Sequence, residues 1–188
     1  TIAMGEYMRG RASDDRICVY GLLAAAAAIE DPAGAGHLAF TVRGGVGLGG
    51  AEALGVVIDP MVALALETAV ANDIPSVDGG QAVTELGAGV ALKLKDGSVV
   101  TSPAVRRRLQ AITDAEEIPL QYEVLPRGGT DTARFQRAHK ATPVGALSVP
   151  TRYLHTATEV AAPTDVTALI DLVSAFIATA TPEDSYAL

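Results

Sequence analysis

The sequence contains a single cysteine, Cys18, among its 188 residues. An internal disulfide within this chain is therefore excluded, and a lone thiol in an apolar run is typical of a core residue in a reducing compartment. The apolar stretch 22–29 is too short to cross a bilayer, and the nearest charges on either side are Arg16 and Glu30, which predicts a buried helix. The sequence shows no secretory-signal pattern. We therefore expect a cytoplasmic protein with no membrane partner.

Positive charge is also scarce in this chain. The formal net charge is −8, and the only basic run is 106–108, which we interpret as the solvated face of a helix. This balance argues against a nucleic-acid partner, because phosphates attract clustered lysine and arginine. Hydrophobic residues make up 49% of the chain, which is enough to build a core. The length suits one domain or one domain with part of another, and because the chain begins at Thr1 without methionine we expect a fragment or a processed N-terminus.

Apolar runs and helical patterns alternate along most of the chain. We predict helices over 14–29, 103–117, 130–139 and 164–178, the last with Thr164 as its N-cap, and a short helical turn over 50–54. We predict strands over 38–42, 61–66, 120–125 and 144–149, and a half-exposed hairpin around 90–97. The alternation predicts an α/β fold, a three-layer sandwich with a mixed, largely parallel sheet.

A glycine-rich segment, Arg43–Ala51, follows the predicted strand 38–42 and holds five of the 19 glycines. Its spacing Gly45-x-Gly47-x-x-Gly50 satisfies the dinucleotide-loop pattern, so a nucleotide-binding module is one interpretation. A dinucleotide loop must open a full helix whose N-terminus holds the pyrophosphate. Only about 50–54 is available here, before Gly55 and Pro60. The nucleotide interpretation therefore stays an alternative.

Three polar residues lie at the predicted ends of elements. Asp14 opens a helix, Glu67 ends an apolar strand, and His155 lies in the polar segment after the strand 144–149. Two carboxylates and an imidazole at one sheet edge could bind a divalent metal. From the pattern alone, the alternative is that these are three unrelated surface or capping residues.

Five segments, in one order, resemble the dinuclear metallo-aminopeptidases of the tetrahedral-aminopeptidase, glutamyl-aminopeptidase and "cellulase M" family. Gly10–Arg16 resembles the family's G-K-A-x-D-D-R, and Val46–Ala51 resembles V-G-L-R-G-A. The pair 64–67 and 72–75 resembles a ligand-bearing strand followed by G-D-x-P. Arg127–Asp131 resembles the G-G-T-D turn, and Pro150–Thr156 resembles P-x-R-Y-x-H-S.

The resemblance implies a metallopeptidase-like fold, a two-metal site with zinc or cobalt, and peptide N-termini as substrates. It assigns Asp14 as the residue that bridges the two metals and His155 as a ligand of the second metal. It assigns Glu67 as a further ligand, which we prefer to Asp59 because Glu67 keeps the apolar strand before it and Asp73-Ile74-Pro75 after it. Thr130 and Asp131 would line the substrate end of the site.

The departures from the family lie in the glycine-rich segment and upstream of it. The family has Glu-Glu before V-G-L, the first a general base and the second a metal ligand, but this chain has Gly44 and Gly45. Glycine can neither accept a proton nor bind a metal through a side chain. The family's remaining ligand histidine and its inserted dimerisation domain lie upstream of the segment present here.

We therefore expect residues 1–188 to form a single, incomplete catalytic domain without the dimerisation domain. As this chain alone it would be an impaired or inactive aminopeptidase, with no catalytic residue at the Gly44 position. Its expected partners are peptides and either a homo-oligomer or a complementary N-terminal half. The alternative is a non-catalytic scaffold or peptide-binding relative.

Overall fold

The computed structural model describes residues 1–77, 82–138, 141–181 and 183–186. The strands are β1 (Ile2–Met4), β2 (Tyr7–Gly10), β3 (Ala63–Val70), β4 (Val90–Lys95), β5 (Leu120–Val124), β6 (Val144–Arg152) and β7 (Glu159–Ala161). The helices are α1 (Ser13–Ala28), α2 (Gly49–Val57), α3 (Pro103–Ala115), α4 (Thr132–Arg137) and α5 (Pro163–Thr179). Within these residues, no helix has the length and apolar character needed to cross a bilayer.

Strand β6 lies at the centre of the sheet. β3 pairs with it in parallel along one side, from Ala63 opposite Val144 to Val70 opposite Thr151. On its other side, β4 pairs antiparallel with the first half of β6, and β7 pairs antiparallel with its end. β5 continues the sheet parallel to β4, whereas β2 and β1 continue it antiparallel from β7. The two longest ladders are thus parallel and the shorter ones antiparallel, so the predicted mixed sheet is confirmed.

Helices cover both faces of this sheet, as the three-layer prediction requires. α1, α3 and α5 pack on the face that carries the main hydrophobic cluster. α4 packs against β3 and β6 on the opposite face, and α2 packs on α4. Cys18 lies in the main cluster at 4% exposure, which confirms it as a core residue.

One predicted strand is absent, and a second is present but more buried than predicted. Residues 38–42 form no strand within the described part of the chain: Leu38, Phe40 and Val42 are exposed, and the backbone oxygen of Val42 accepts from the amide of Gly50 instead of a ladder partner. The predicted half-exposed hairpin contains β4, an inner strand whose first four residues are buried and which runs parallel to β5. Alternation in sequence could not reveal this, because Lys93 is buried by an ion pair.

The helix boundaries differ from prediction at three points. Ala162, not Thr164, occupies the N-cap of α5, because Pro163 supplies the first helical position. α2 spans nine residues instead of the short turn expected over 50–54. The described part of the predicted helix 130–139 is helical only over Thr132–Arg137, and residue 139 lies outside the described residues.

Candidate metal site and glycine segment

The start of α1 turns two acidic side chains towards β3. Asp14 and Asp15 have non-helical backbone dihedrals inside α1, so they do not act as ordinary first-turn acids of the helix. The hydroxyl of Thr68 donates to Asp14 Oδ1 over 2.9 Å, and Asp14 Oδ2 lies 2.9 Å from Nε2 of His155. The structure therefore brings two of the three predicted ligands, Asp14 and His155, into direct contact.

Glu159 joins the two chain segments that carry this pair. Its buried carboxylate, at 2% exposure, accepts from the backbone amides of Ser13, Asp14 and His155. One side chain at the start of β7 thus ties the beginning of α1 to the loop before β7. The sequence carried no signal for this role, because Glu159 follows an irregular polar segment with no recognisable spacing.

A second ion pair joins Arg152, the last residue of β6, to Asp73 in the segment that follows β3. The guanidinium of Arg152 donates to both carboxylate oxygens of Asp73, over 2.7 and 2.9 Å, and it lies 5.5 Å from the ring centre of Tyr7. This bidentate geometry is the strong form of an arginine–carboxylate pair. It fixes the end of β6, from which the loop with His155 departs.

The sequence predicted that Glu67 ends its strand, but Glu67 lies inside β3. Its Oε1 accepts from the backbone amide of Asp131 over 3.2 Å, and the carboxylate of Asp131 accepts from the hydroxyl of Thr41. Thr130 is buried, with its hydroxyl 2.6 Å from that of Thr132. The predicted substrate-end residues therefore lie beside Glu67, although their role in binding substrate stays a prediction.

Burial and mutual repulsion raise the pKa of two carboxyl groups in this region. Asp15 keeps an exposed side, but the atoms packed round its carboxyl group and the charge of Asp14 raise its pKa to about 7. Burial, and then the charge of Asp15, raise the pKa of Glu67 to about 8. Burial likewise raises the pKa of the Cys18 thiol, whose sulfur lies 2.9 Å from the backbone oxygen of Glu67. The region holds more acid than it neutralises, which is an environment that favours a cation.

The described residues do not, however, assemble a complete metal site. No group of three or more His, Cys, Asp or Glu side chains within the described ranges has a geometry that could hold a metal ion. Asp14 and His155 are in contact, whereas Glu67 approaches the region from the opposite face of the sheet, because side chains alternate along β3 and Thr68 points towards Asp14. The donor types suit zinc or cobalt, but their number does not. The three-ligand assignment stays a prediction.

The glycine segment contains two kinds of glycine. Gly47 has a φ of +80°, and a side chain at Gly50 would lie 2.4 Å from the backbone oxygen of Val42, so both positions require glycine. At Gly44 and Gly45 the backbone is ordinary, and an added Cβ would meet nothing within 4 Å. Space for side chains is therefore present where the resembling family has its two glutamates.

One structural feature supports the nucleotide interpretation of this segment, and another argues against it. α2 is longer than expected, but residues 38–42 form no strand before the loop, and a dinucleotide loop connects a strand to a helix. The oxygen of Gly47 also accepts from Arg134 over 2.6 Å, and that arginine forms an ion pair with Glu52. A side chain of α4 therefore contacts the same loop that would have to bind the pyrophosphate of a dinucleotide.

The sequence of this chain matches a protein-family model and several known proteins. The model of the M42 glutamyl aminopeptidase family matches residues 1–172. Lysyl aminopeptidase from Pyrococcus furiosus is 33% identical over 172 residues, which cover 91% of this chain and 48% of that protein. This chain spans about half the length of the curated relatives it matches.

The fold of this chain is also similar to solved structures of aminopeptidases. An aminopeptidase from the archaeon Desulfurococcus kamchatkensis superposes with a TM-score of 0.94 at 34% identity, covering 97% of this chain and 52% of that one. The TET1 peptidase of Pyrococcus horikoshii, which can assemble into a tetrahedron or a large octahedral shell, superposes with a TM-score of 0.82 at 29% identity, covering 96% and 52%.

Proposed function

Because the chain belongs to the M42 glutamyl aminopeptidase family, we propose that it keeps this family's fold and part of its metal site but does not hydrolyse peptides on its own. One observation carries the proposal: Gly44 and Gly45 present no side chain at the positions where the family places its general base and a ligand. Removing a general base commonly costs a factor of about 10²–10⁴ in rate. A bound metal pair would supply the activated water, but no residue at position 44 could take its proton.

The nearby acids do not replace this base in the described structure. Glu52 forms an ion pair with Arg134, and the carboxylate of Asp131 accepts from Thr41. Glu67, with a pKa of about 8, is mostly protonated at neutral pH and must lose its proton before it can bind a metal. Binding of zinc or cobalt through Glu67 should therefore be coupled to the release of a proton.

The direct test restores the two missing acids. We expect the Gly44→Glu/Gly45→Glu variant to bind zinc at least roughly tenfold more tightly than the parent chain in calorimetric titrations, since even indirect partners of a metal change affinity by that factor. An added Cβ meets nothing within 4 Å at either position, so neither substitution creates a clash next to the backbone. The parent chain should release no product from aminoacyl anilides, with or without zinc or cobalt.

A matched control separates a restored ligand from added charge. Gly36→Glu places a glutamate on an exposed loop glycine whose Cβ position is equally open, and it should leave zinc affinity unchanged. Equal gains in both variants would contradict the proposal. So would stoichiometric zinc together with anilide hydrolysis in the parent chain. Specific NAD binding that Gly47→Ala abolishes would support the nucleotide alternative instead.

The proposal extends to the partners of the chain. Val42, Val46, Val56 and Val57 expose apolar side chains on and beside the glycine segment, and such surfaces are typical of contacts with further protein. A homo-oligomer or a complementary N-terminal half would cover them, and the N-terminal half would also supply the remaining ligand histidine. Light scattering on the chain, alone and mixed with a candidate complementary N-terminal half, distinguishes the two. A monomer in both samples would favour neither and would contradict this extension.

The buried free thiol supports a reducing, cytoplasmic location for the protein. Under the same proposal, residues 1–188 are one incomplete catalytic domain, without the dimerisation domain.

A further inference from the structure

A cavity of about 580 Å³ lies on the outer side of α1, between the start of α1, the first turns of α5 and strand β2. Its volume falls within the range of small-molecule sites, roughly 300–1,000 Å³. Asp14 and Asp15 do not line it, although they lie between residues that do. The cavity is therefore separate from the candidate metal site.

The charges of this cavity are opposite to those of the rest of the chain. Among the described residues, Arg11 and Arg16 line it and no aspartate or glutamate does, although the chain has 22 acids and 14 lysines and arginines. Within the described residues, the guanidinium group of neither arginine takes part in a hydrogen bond or an ion pair. Two guanidinium groups near one cavity repel each other unless an anion lies between them.

The walls of the cavity are apolar. Ile17 and Val166 are buried and Ile170 is half-buried, and the exposed ring of Tyr20 extends one side. The lining of the cavity thus combines the positive charge of two exposed arginines with a hydrophobic surface. A ligand that satisfies both must carry an anionic group on an apolar body.

We propose that this cavity binds small amphipathic anions, with Arg11 and Arg16 holding a carboxylate or phosphate group and the Ile17–Val166–Ile170 wall holding the apolar part. Arginine suits this role because its planar donors match both carboxylate and phosphate. The inference is independent of whether the chain hydrolyses peptides.

Calorimetric titration of the full chain with four probes tests the inference. Octanoate and octyl phosphate should bind, whereas octanol and inorganic phosphate should bind roughly tenfold more weakly or not at all, because each lacks one half of the required chemistry. The affinity ratio of octanoate to octyl phosphate then identifies the preferred anionic group. Equal binding of octanoate and octanol would overturn the inference, and so would binding of inorganic phosphate as tight as that of octyl phosphate.

Variants locate the site. Arg11→Gln/Arg16→Gln should weaken octanoate binding about tenfold or more, since it removes the charge-assisted hydrogen bonds. Arg106→Gln/Arg107→Gln removes the same charge from the exposed face of α3 and should leave the affinity within about twofold. Equal losses in the two double variants would overturn the assignment. If the first double variant fails to fold by circular dichroism, the single Arg16→Gln variant carries the same test.

Discussion

The two faces of the central sheet bury their residues by different means. The apolar face, towards α1, α3 and α5, carries Leu64, Leu66, Val90, Leu92, Leu147 and Val149. The polar face, towards α2 and α4, carries small residues together with Glu67, Lys93, Glu123 and Ser148, as strand pairing and alternation require. Both faces exclude water, but only the polar face does so with charges.

The charges of the polar face form a connected network. The ammonium group of Lys93 donates to Glu123 Oε1, and the hydroxyl of Ser148 donates to Glu123 Oε2 over 2.7 Å. Ser148 is also the direct neighbour of Glu67 across the β3–β6 ladder. Of the three predicted ligands, Glu67 thus lies on the face that gives up hydrophobic burial for polar contacts, and this face should respond differently to mutation and to pH.

Breaking the Lys93–Glu123 pair should have the largest effect. Glu123→Ala leaves the Lys93 ammonium buried without its partner, and this should lower the free energy of unfolding by roughly 3–5 kcal/mol. Urea unfolding followed by circular dichroism measures it. The control is Lys93→Met/Glu123→Leu, which removes both charges and should cost far less than Glu123→Ala. If the double variant is as unstable as the single one, packing and not charge is responsible.

Shortening a buried side chain on the apolar face should lower the free energy of unfolding by about as much as Glu123→Ala does, or slightly less, because it leaves a cavity and not an unpaired charge. Leu147 is fully buried in the main cluster, and Leu147→Ala should lower the free energy of unfolding by roughly 2–5 kcal/mol through a cavity. This loss should be the same at pH 5 and pH 8, because no titratable group is changed. A strong dependence of the loss on pH would show that the two faces are not electrostatically separate.

The pH dependence of stability should come from the polar face and the neighbouring edge. The pKa values of Glu67 and Asp15 rise from 4.5 and 3.8 to about 8 and 7 in the folded chain. Between these values the folded state holds protons that the unfolded state has released, so the contribution of these two groups to stability is full below about pH 4 and is lost as the pH rises towards 8. We expect the urea midpoint to fall from pH 5 to pH 8.

Two variants test this origin. The glutamine of Glu67→Gln cannot ionise, so the urea midpoint of this variant should fall less steeply with pH than that of the parent chain. Glu52→Gln changes an acid whose side chain is 61% exposed and should keep the parent slope. An unchanged slope in Glu67→Gln would assign the pH dependence to other groups.

The smallest expected effect concerns the glycine segment, whose Leu48 packs in the cluster on the polar face. Gly47→Ala forces a side chain to a φ of +80° and should cost roughly 1–2 kcal/mol of unfolding free energy. Gly45→Ala meets open space and should change it by less than about 0.5 kcal/mol. Thermal unfolding of the pair measures the difference. Equal costs would mean that Gly45 is also required by the backbone.

Local patterns predicted most helices and three of the strands, because apolar periodicity and turn residues act over a few neighbours. They failed where distant partners decide. Residues 38–42 look like a strand but have no strand beside them, and β4 looks half-exposed because Lys93 reads as a surface residue until Glu123 is placed next to it. A motif identified Asp14 and His155, but Thr68 and Glu159 carried no local signal for their contacts with this pair.

By itself, the sequence determined the family of the chain and the absence of acids at Gly44 and Gly45, since residue identity and order need no folding to be read. Only the tertiary structure decided that Asp14 contacts His155, that burial and neighbouring acids raise the pKa of Glu67, and that Arg11 and Arg16 line a cavity to which no described carboxylate contributes. The reason is physical. Distances between residues far apart in the chain, and the water excluded between them, are set by how strands pair and helices pack, and the charges respond to those distances.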